Sequence, residues 1–156
     1  SINMGKVSMQ TTFEKQQNAE TAHNAGLNCA QSVLKQFVDP NKLEEMLKIS
    51  SGFGGGMKIG SVCGALSGGI MALGLKLAST DPALKKLIDE PVKELISRFA
   101  ETMGHTDCLT IIGYNVNIPE QRELPACKGI MKEKCKLAIA TAVQIVDEIL
   151  AAKAAE

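Results

Sequence analysis

Ser51–Ala78 reads SGFGGGMKIGSVCGALSGGIMALGLKLA. A glycine-rich loop runs into a long apolar segment, with Cys63 at the junction. Ser61 is a good candidate N-cap, because its hydroxyl can accept a free backbone N–H of the first turn, and this puts Val62 and Cys63 in that turn. Lys76 is the sole charge from Val62 to Ala78. A helix apolar nearly all round has neighbours on most sides, so the segment predicts a buried central helix. A membrane span needs about 20 apolar residues, and this segment, with its glycines and lysine, falls short. Gly64 and Gly68 share one face, as do Ala65 and Gly69. Each glycine costs a helix up to about 1 kcal/mol relative to alanine, so close approach of a backbone or a ligand beside Cys63 is expected to offset it. Gly64 and Gly68 are therefore candidate cofactor-facing positions as well as candidate helix-packing ones.

Gly55–Gly60 fits the glycine half of a phosphate-binding loop, but Ser61 and Val62 stand where Lys-Ser/Thr is required. The preceding Leu43–Ile49 also reads as helix, so no strand feeds the loop. Nucleotide binding is rejected as a first reading, while an anion cradle of backbone N–H groups stays open.

The 156 residues are 45% hydrophobic and 22% charged, which suits one globular domain with a real core. Seventeen basic and 17 acidic residues balance, and aromatics are 3%. Neither a basic field nor stacking platforms exist for nucleic acid. The apolar residues are those of helices rather than sheets. Ser1–Gln10 is polar and short, not a secretory signal. Residues 1–10 are expected to be disordered or a remnant of expression, and residues 11–156 to form a single helical domain in the cytoplasm. Five cysteines without an export signal favour metal or redox chemistry over a disulfide framework.

About six helices are expected. The first spans Thr11–Asn24, and Gly26 ends it. Asn28 caps a second, Cys29–Val38, with Ala30, Val33, Leu34 and Phe37 inward. Asn41–Ile49 is third, with Leu43, Met46 and Leu47 inward, and Val62–Ala78 is fourth. Thr80-Asp81-Pro82 starts a fifth, which Pro91 kinks or divides before Gly104 stops it. Its inner face is read as Leu84, Leu87, Ile88, Val92, Leu95, Ile96 and Phe99. Gly113 closes a short turn, Leu109–Ile112, and Tyr114–Pro125 is a loop. The last helix begins between Pro125 and Lys132 and runs to Ala152, burying Leu137, Ala138, Ala142, Ile145, Ile149 and Leu150. A homodimer is a weakly signalled expectation from the alanine- and glycine-rich surfaces.

Cys29, Cys63 and Cys108 each fall in the first turn of a predicted helix, behind Asn28, Ser61 and Thr106. Thr106-Asp107-Cys108 repeats the pattern Ser61-Val62-Cys63. A helix start carries partial positive charge and free N–H donors, so a thiol there is expected to have a lowered pKa. Cys135 sits further into its helix, and Cys127 is a spare thiol. The alternative for each is a small buried hydrophobe. No C-x-x-C occurs, so neither a zinc ribbon nor a thioredoxin motif is present. His23 and His105, near Cys29 and Cys108 in sequence, are minor candidates for ligand or proton-donor roles. Met71, Met103 and Met131 are read as packing.

NCAQSVL (Asn28–Leu34), SGFGGG (Ser51–Gly56), VCGALSGGIMALGL (Val62–Leu75), CLTIIG (Cys108–Gly113) and CKLAIATAVQIVDEIL (Cys135–Leu150) together resemble the C-GCAxxG-C-C family of redox-active proteins. Cys29, Cys63, Cys108 and Cys135 match its four cysteines in order, and Cys127 falls outside the pattern. The resemblance implies a bacterial or archaeal redox protein without one general reaction. The family is itself similar to a domain of split-Soret cytochrome c that carries an iron–sulfur centre, but C-x-x-C-H is absent here, so covalent haem is not implied.

Three functional readings follow. The first is an iron–sulfur cluster held by Cys29, Cys63, Cys108 and Cys135, for electron transfer or redox sensing with an unspecified redox partner. In the second, a metal-free dithiol–disulfide reading, Cys63 is the nucleophile and Cys29, Cys108 or Cys135 resolves. The third is a zinc-stapled or metal-free helical interaction protein.

Overall fold

A computed structural model describes residues 10–156; the expectation for residues 1–9 lies outside them. The described chain is all-α, as expected. α1 (Thr12–Asn24) opens with a capping box between Thr11 and Glu14. α2 (Cys29–Leu34) continues into a 3₁₀ turn, Lys35–Phe37. A 3₁₀ turn at Pro40–Lys42 leads into α3 (Leu43–Ile49). α4 (Gly64–Leu77) is the central helix, followed by α5 (Asp89–Met103), the one-turn α6 (Cys108–Ile112), α7 (Pro119–Arg122) and the long α8 (Pro125–Ala154). α7 lies within the stretch read from sequence as a loop.

α4 packs on α2, α5 and α8, and α1 lies across α8. Leu66, Leu73, Leu95, Phe99, Ile139, Val143 and Val146 are fully buried where these helices meet, each contributing about 1.5–3 kcal/mol by leaving water. The small residues of α4 set its spacing. A Cβ on Gly68 would stand 2.4 Å from the Ala30 carbonyl oxygen, and one on Gly69 would stand 3.0 Å from Leu95. Lys15 on α1 reaches Asp147 on α8 at 2.5 Å, and the Thr12 hydroxyl donates to the same carboxylate.

Three expectations need correction. Pro82–Ile88 is a 3₁₀ segment capped by Asp81, and α5 begins at Asp89. With about three residues per turn, Leu84 and Leu87 rotate off the inner face and are exposed, and Ile96 is exposed on α5. Pro91 falls in the first turn of α5, where its missing N–H has no partner to lose. Leu137 is exposed on α8, while Ala138 and Ile139 turn inward. Gly104 and Gly113, both at φ +81°, terminate α5 and α6 as expected. No described helix is long and apolar enough to cross a membrane.

Candidate functional site: a cavity lined by four thiols

Cys29 is held by a helix start of full design. The Asn28 side chain accepts the Gln31 N–H at 2.8 Å, and the Gln31 side chain accepts the Asn28 N–H at 2.9 Å. The Asn28 amide also donates to the carbonyls of Ser50 and Ser51. The first turn of α2 is thereby fixed to the segment that begins the glycine loop.

Cys63 and Cys108 are placed by a device that differs from the expected pair of caps. Ser61 does not cap α4; its hydroxyl donates to the Gly56 carbonyl. Thr106 does not cap α6, whose N-cap is Asp107. The two matching tripeptides instead pair with each other across an isolated antiparallel bridge, Val62 to Asp107. The Cys63 N–H donates to Thr106 O at 2.8 Å, and the Cys108 N–H donates to Ser61 O at 2.7 Å. These two bonds set the cysteines side by side. Cys63 is itself the N-cap of α4. Its sulfur lies near the N–H groups of Ala65 and Leu66, which only partly offset the upward push of burial on its pKa, without a cap hydrogen bond of full geometry. Cys135 comes from the N-terminal half of α8, and its thiol is electrostatically coupled to that of Cys29.

The glycine loop completes the wall. Gly55, Gly56, Met57 and Lys58 run consecutively at φ +58° to +68°, a left-handed turn. For the two non-glycine residues this costs roughly 1–3 kcal/mol each, so the surroundings must hold it. Gly56 O accepts both the N–H and the hydroxyl of Ser61, and Gly55 O accepts the Asn117 amide at 2.8 Å. A Cβ on Gly56 would stand 2.8 Å from Cys108 Cβ, and one on Gly64 would stand 3.1 Å from Cys29 Cβ. Both glycines leave room beside thiols.

Cys29, Cys63, Cys108 and Cys135 all line one partly open cavity of about 340 Å³. Gly64 lines it as well. Gly68 does not: it faces the backbone of Ala30. Cys127 is fully buried in a separate apolar cluster with Ile112 and Val116, beside Cys108. His23 lines the cavity, with Nε2 3.6 Å from Cys29 Sγ, and burial lowers its pKa. His105 is exposed and accepts the Asp107 N–H. Met71 and Met103 pack on the main core, whereas Met131 also faces the cavity. Arg122, Lys58, Lys134 and Asn117 line the cavity and were missed from sequence. Position next to Cys135, or inside the glycine loop, was the signal for the two lysines; Arg122 and Asn117 had none.

The thiol electrostatics reverse one expectation. The three cysteines at helix starts are not activated. Burial pushes Cys63 up to about 12 and Cys108 up to about 11. Cys29 is raised by its hydrogen bond to Cys135, then by burial. Short helices such as α2 and α6 carry too few aligned peptides for their ends to overcome desolvation and neighbouring thiols. The lowered thiol is Cys135, which accepts the Cys29 hydrogen bond and feels the Arg122 charge. Cys135, rather than Cys63, is thus the thiol whose pKa is lowered.

The donor set suits a soft metal. Among the described residues, however, no group of three or more His, Cys, Asp or Glu side chains is gathered to hold a single ion. No curated protein and no solved structure matches the chain. A family model spans residues 27–149 and so contains all four cavity cysteines; the chain belongs to the family described as "Putative redox-active protein (C_GCAxxG_C_C)".

Proposed function

We propose that the cavity holds an iron–sulfur cluster through Cys29, Cys63, Cys108 and Cys135, and that the protein serves electron transfer or redox sensing. The observation that carries this reading is the meeting of four thiols, from four separate segments, around one 340 Å³ cavity. Bound there, the cluster would supply one-electron redox chemistry. The chain's own residues supply the ligands, leave room at Gly56 and Gly64, and exclude water with Ile112, Val116 and Ala138. The raised thiols are compatible with the reading, since a cationic metal core offsets the burial and the weaker mutual repulsion that keep them protonated. All five cysteines are free, which suits a reducing compartment such as the cytoplasm.

The placement of Cys29 and Cys135 in the same cavity, with opposite shifts of their thiol pKa values, favours a second reading, a reversible dithiol–disulfide pair. In that chemistry the Cys135 thiolate attacks an external disulfide, one thiol leaves, and Cys29 then displaces the second to close the bridge.

Anaerobic purification with an absorption spectrum and iron, sulfide and zinc analysis tests both readings. Iron and acid-labile sulfide, lost together in Cys63→Ser, are expected. A protein free of iron and sulfide that also resists reconstitution would end the cluster reading. A Cys29–Cys135 disulfide after mild oxidation would then support the second reading. Stoichiometric zinc without redox response would leave the zinc-staple reading instead.

A further inference from the structure

We propose that the opening of the thiol cavity is a docking surface for an acidic redox protein. This rests on the cavity's being the redox site. Lys58, Arg122 and Lys134 line it, and no Asp or Glu does. The whole chain balances 17 basic against 17 acidic residues, so the excess of cations is local. The nearest carboxylates in sequence, Glu120, Glu123 and Glu133, lie outside the lining; Glu123 feels Arg122 but is paired with Lys128 at 2.8 Å. Among the described residues, none of the three cavity cations makes an ion pair.

Exposed apolar side chains accompany these charges. Met57 is 47% exposed, Ile59 72% and Leu109 44%. Met57 and Ile59 flank Lys58 on the left-handed turn, and Leu109 follows Cys108. The two segments touch, since a Cβ on Gly60 would stand 3.1 Å from Leu109 Cβ. The turn therefore holds an apolar patch and a lysine beside the thiols, in a backbone conformation that its residues do not favour by themselves. An apolar patch next to a redox site, with charges of one sign around it, fits a small, short-lived interface. Charge steers the encounter there, and the apolar patch lets the two centres approach. The complementary partner is acidic.

A strongly acidic plant-type ferredoxin serves as the probe, with basic cytochrome c as its counterpart. Binding to the full chain, as purified anaerobically, is measured by thermophoresis at about 10 mM and about 150 mM salt, where the Debye length is about 30 Å and about 8 Å. Ferredoxin is expected to bind at low salt and weaken at least about tenfold at the higher salt. Lys58→Glu and Lys134→Glu should each weaken it several-fold, and Ile59→Ser should do the same, whereas Lys86→Glu, outside the cavity, should not. Circular dichroism of each variant confirms folding, and Lys134→Glu, on a regular helix, covers a failure of Lys58→Glu to fold. Absence of ferredoxin binding overturns the proposal. So does equal binding of cytochrome c, or ferredoxin binding that inorganic sulfate at equal ionic strength abolishes while sodium chloride does not, which would mark a small-anion site. Iron and sulfide are assayed on the same samples. A loaded protein that ignores ferredoxin overturns the docking alone, and an iron-free protein that binds it overturns the cluster reading alone.

Discussion

Replacing Gly68 by alanine places a methyl carbon 2.4 Å from Ala30 O, 2.9 Å from Ala30 Cα and 3.0 Å from Ala30 C. All three obstacles are backbone atoms of α2, so no side chain can swing aside. Relief requires α2 and α4 to separate by the better part of an ångström. Two opposing effects decide the outcome. Alanine improves helix propensity by up to about 1 kcal/mol, while overpacking costs about 1–3 kcal/mol. With backbone on the far side, the cost belongs at the upper end, and the net destabilisation is about 1–2 kcal/mol. For a domain of this size each kcal/mol lowers Tm by about 2–4 °C. Gly74 in the same helix is the internal control, because an added Cβ there meets nothing within 4 Å. Gly74→Ala should raise stability by up to about 1 kcal/mol. Paired thermal and urea denaturation, followed by circular dichroism, reads both signs. The reasoning fails if Gly68→Ala stabilises the protein as Gly74→Ala does, for then α2 does not press on α4 at Gly68.

Asp147→Ala strands Lys15 and the Thr12 hydroxyl, both part-buried against α8, and should cost about 1–3 kcal/mol in urea denaturation; a change under about 0.5 kcal/mol would count the contact as an ordinary surface pair. Burial raises the Cys63 pKa to about 12, so between about pH 8.5 and that value the folded metal-free protein holds more protons than the unfolded chain. Its stability, fully present below about pH 8.5, should therefore fall as pH rises, by up to about 1.4 kcal/mol per pH unit from this thiol, and Cys63→Ser should flatten that slope; parallel slopes would contradict it. Arg122→Gln should slow iodoacetamide labelling of Cys135 in metal-free protein at neutral pH and low salt, because the Arg122 charge lowers that thiol; an unchanged rate would remove Arg122 from the site's electrostatics. Cys63→Ser puts a preferred N-cap hydroxyl at the head of α4 and should change stability by less than about 1 kcal/mol, whereas Cys127→Ser buries a hydroxyl among Ile112 and Val116 and should cost about 1–3 kcal/mol; equal losses would refute the distinction.

The central helix, the glycine stops at Gly104 and Gly113 and the Asn28 cap were legible in the sequence because each depends on residues a few positions apart. The repeated Ser61-Val62-Cys63 and Thr106-Asp107-Cys108 was legible as a pattern but misread as two caps. A bridge between segments that distant has no local signature, and a serine or threonine before a short apolar run looks the same in either role. Leu84 and Leu87 were misplaced because hydrophobic spacing was read at the α-helical period in a stretch that winds as 3₁₀. The set of four cavity cysteines was readable through the family resemblance. Their protonation was not, because burial and mutual repulsion are properties of the assembled cavity. Arg122 and Asn117 reach it from a segment whose path no periodicity describes.

Cys29, Cys63, Cys108 and Cys135 are each positioned by backbone rather than by one another. A capping box fixes the first, two bridge hydrogen bonds fix the second and third, and a continuous helix fixes the fourth. The cavity can therefore bring four thiols together before anything binds. Ionising them there costs free energy, chiefly through burial at Cys63 and Cys108 with mutual repulsion added, and three of the four have raised pKa values. Two events relieve that repulsion, ligation of a cationic core and oxidation to a disulfide, and both release protons. Acidification therefore opposes either reaction at this site, whichever electron carrier is used. Arg122 acts in the opposite sense, since its charge favours thiolate at Cys108 and Cys135. In a chain with no net charge, that cation stands, with Lys58 and Lys134, in a cavity whose lining holds no carboxylate.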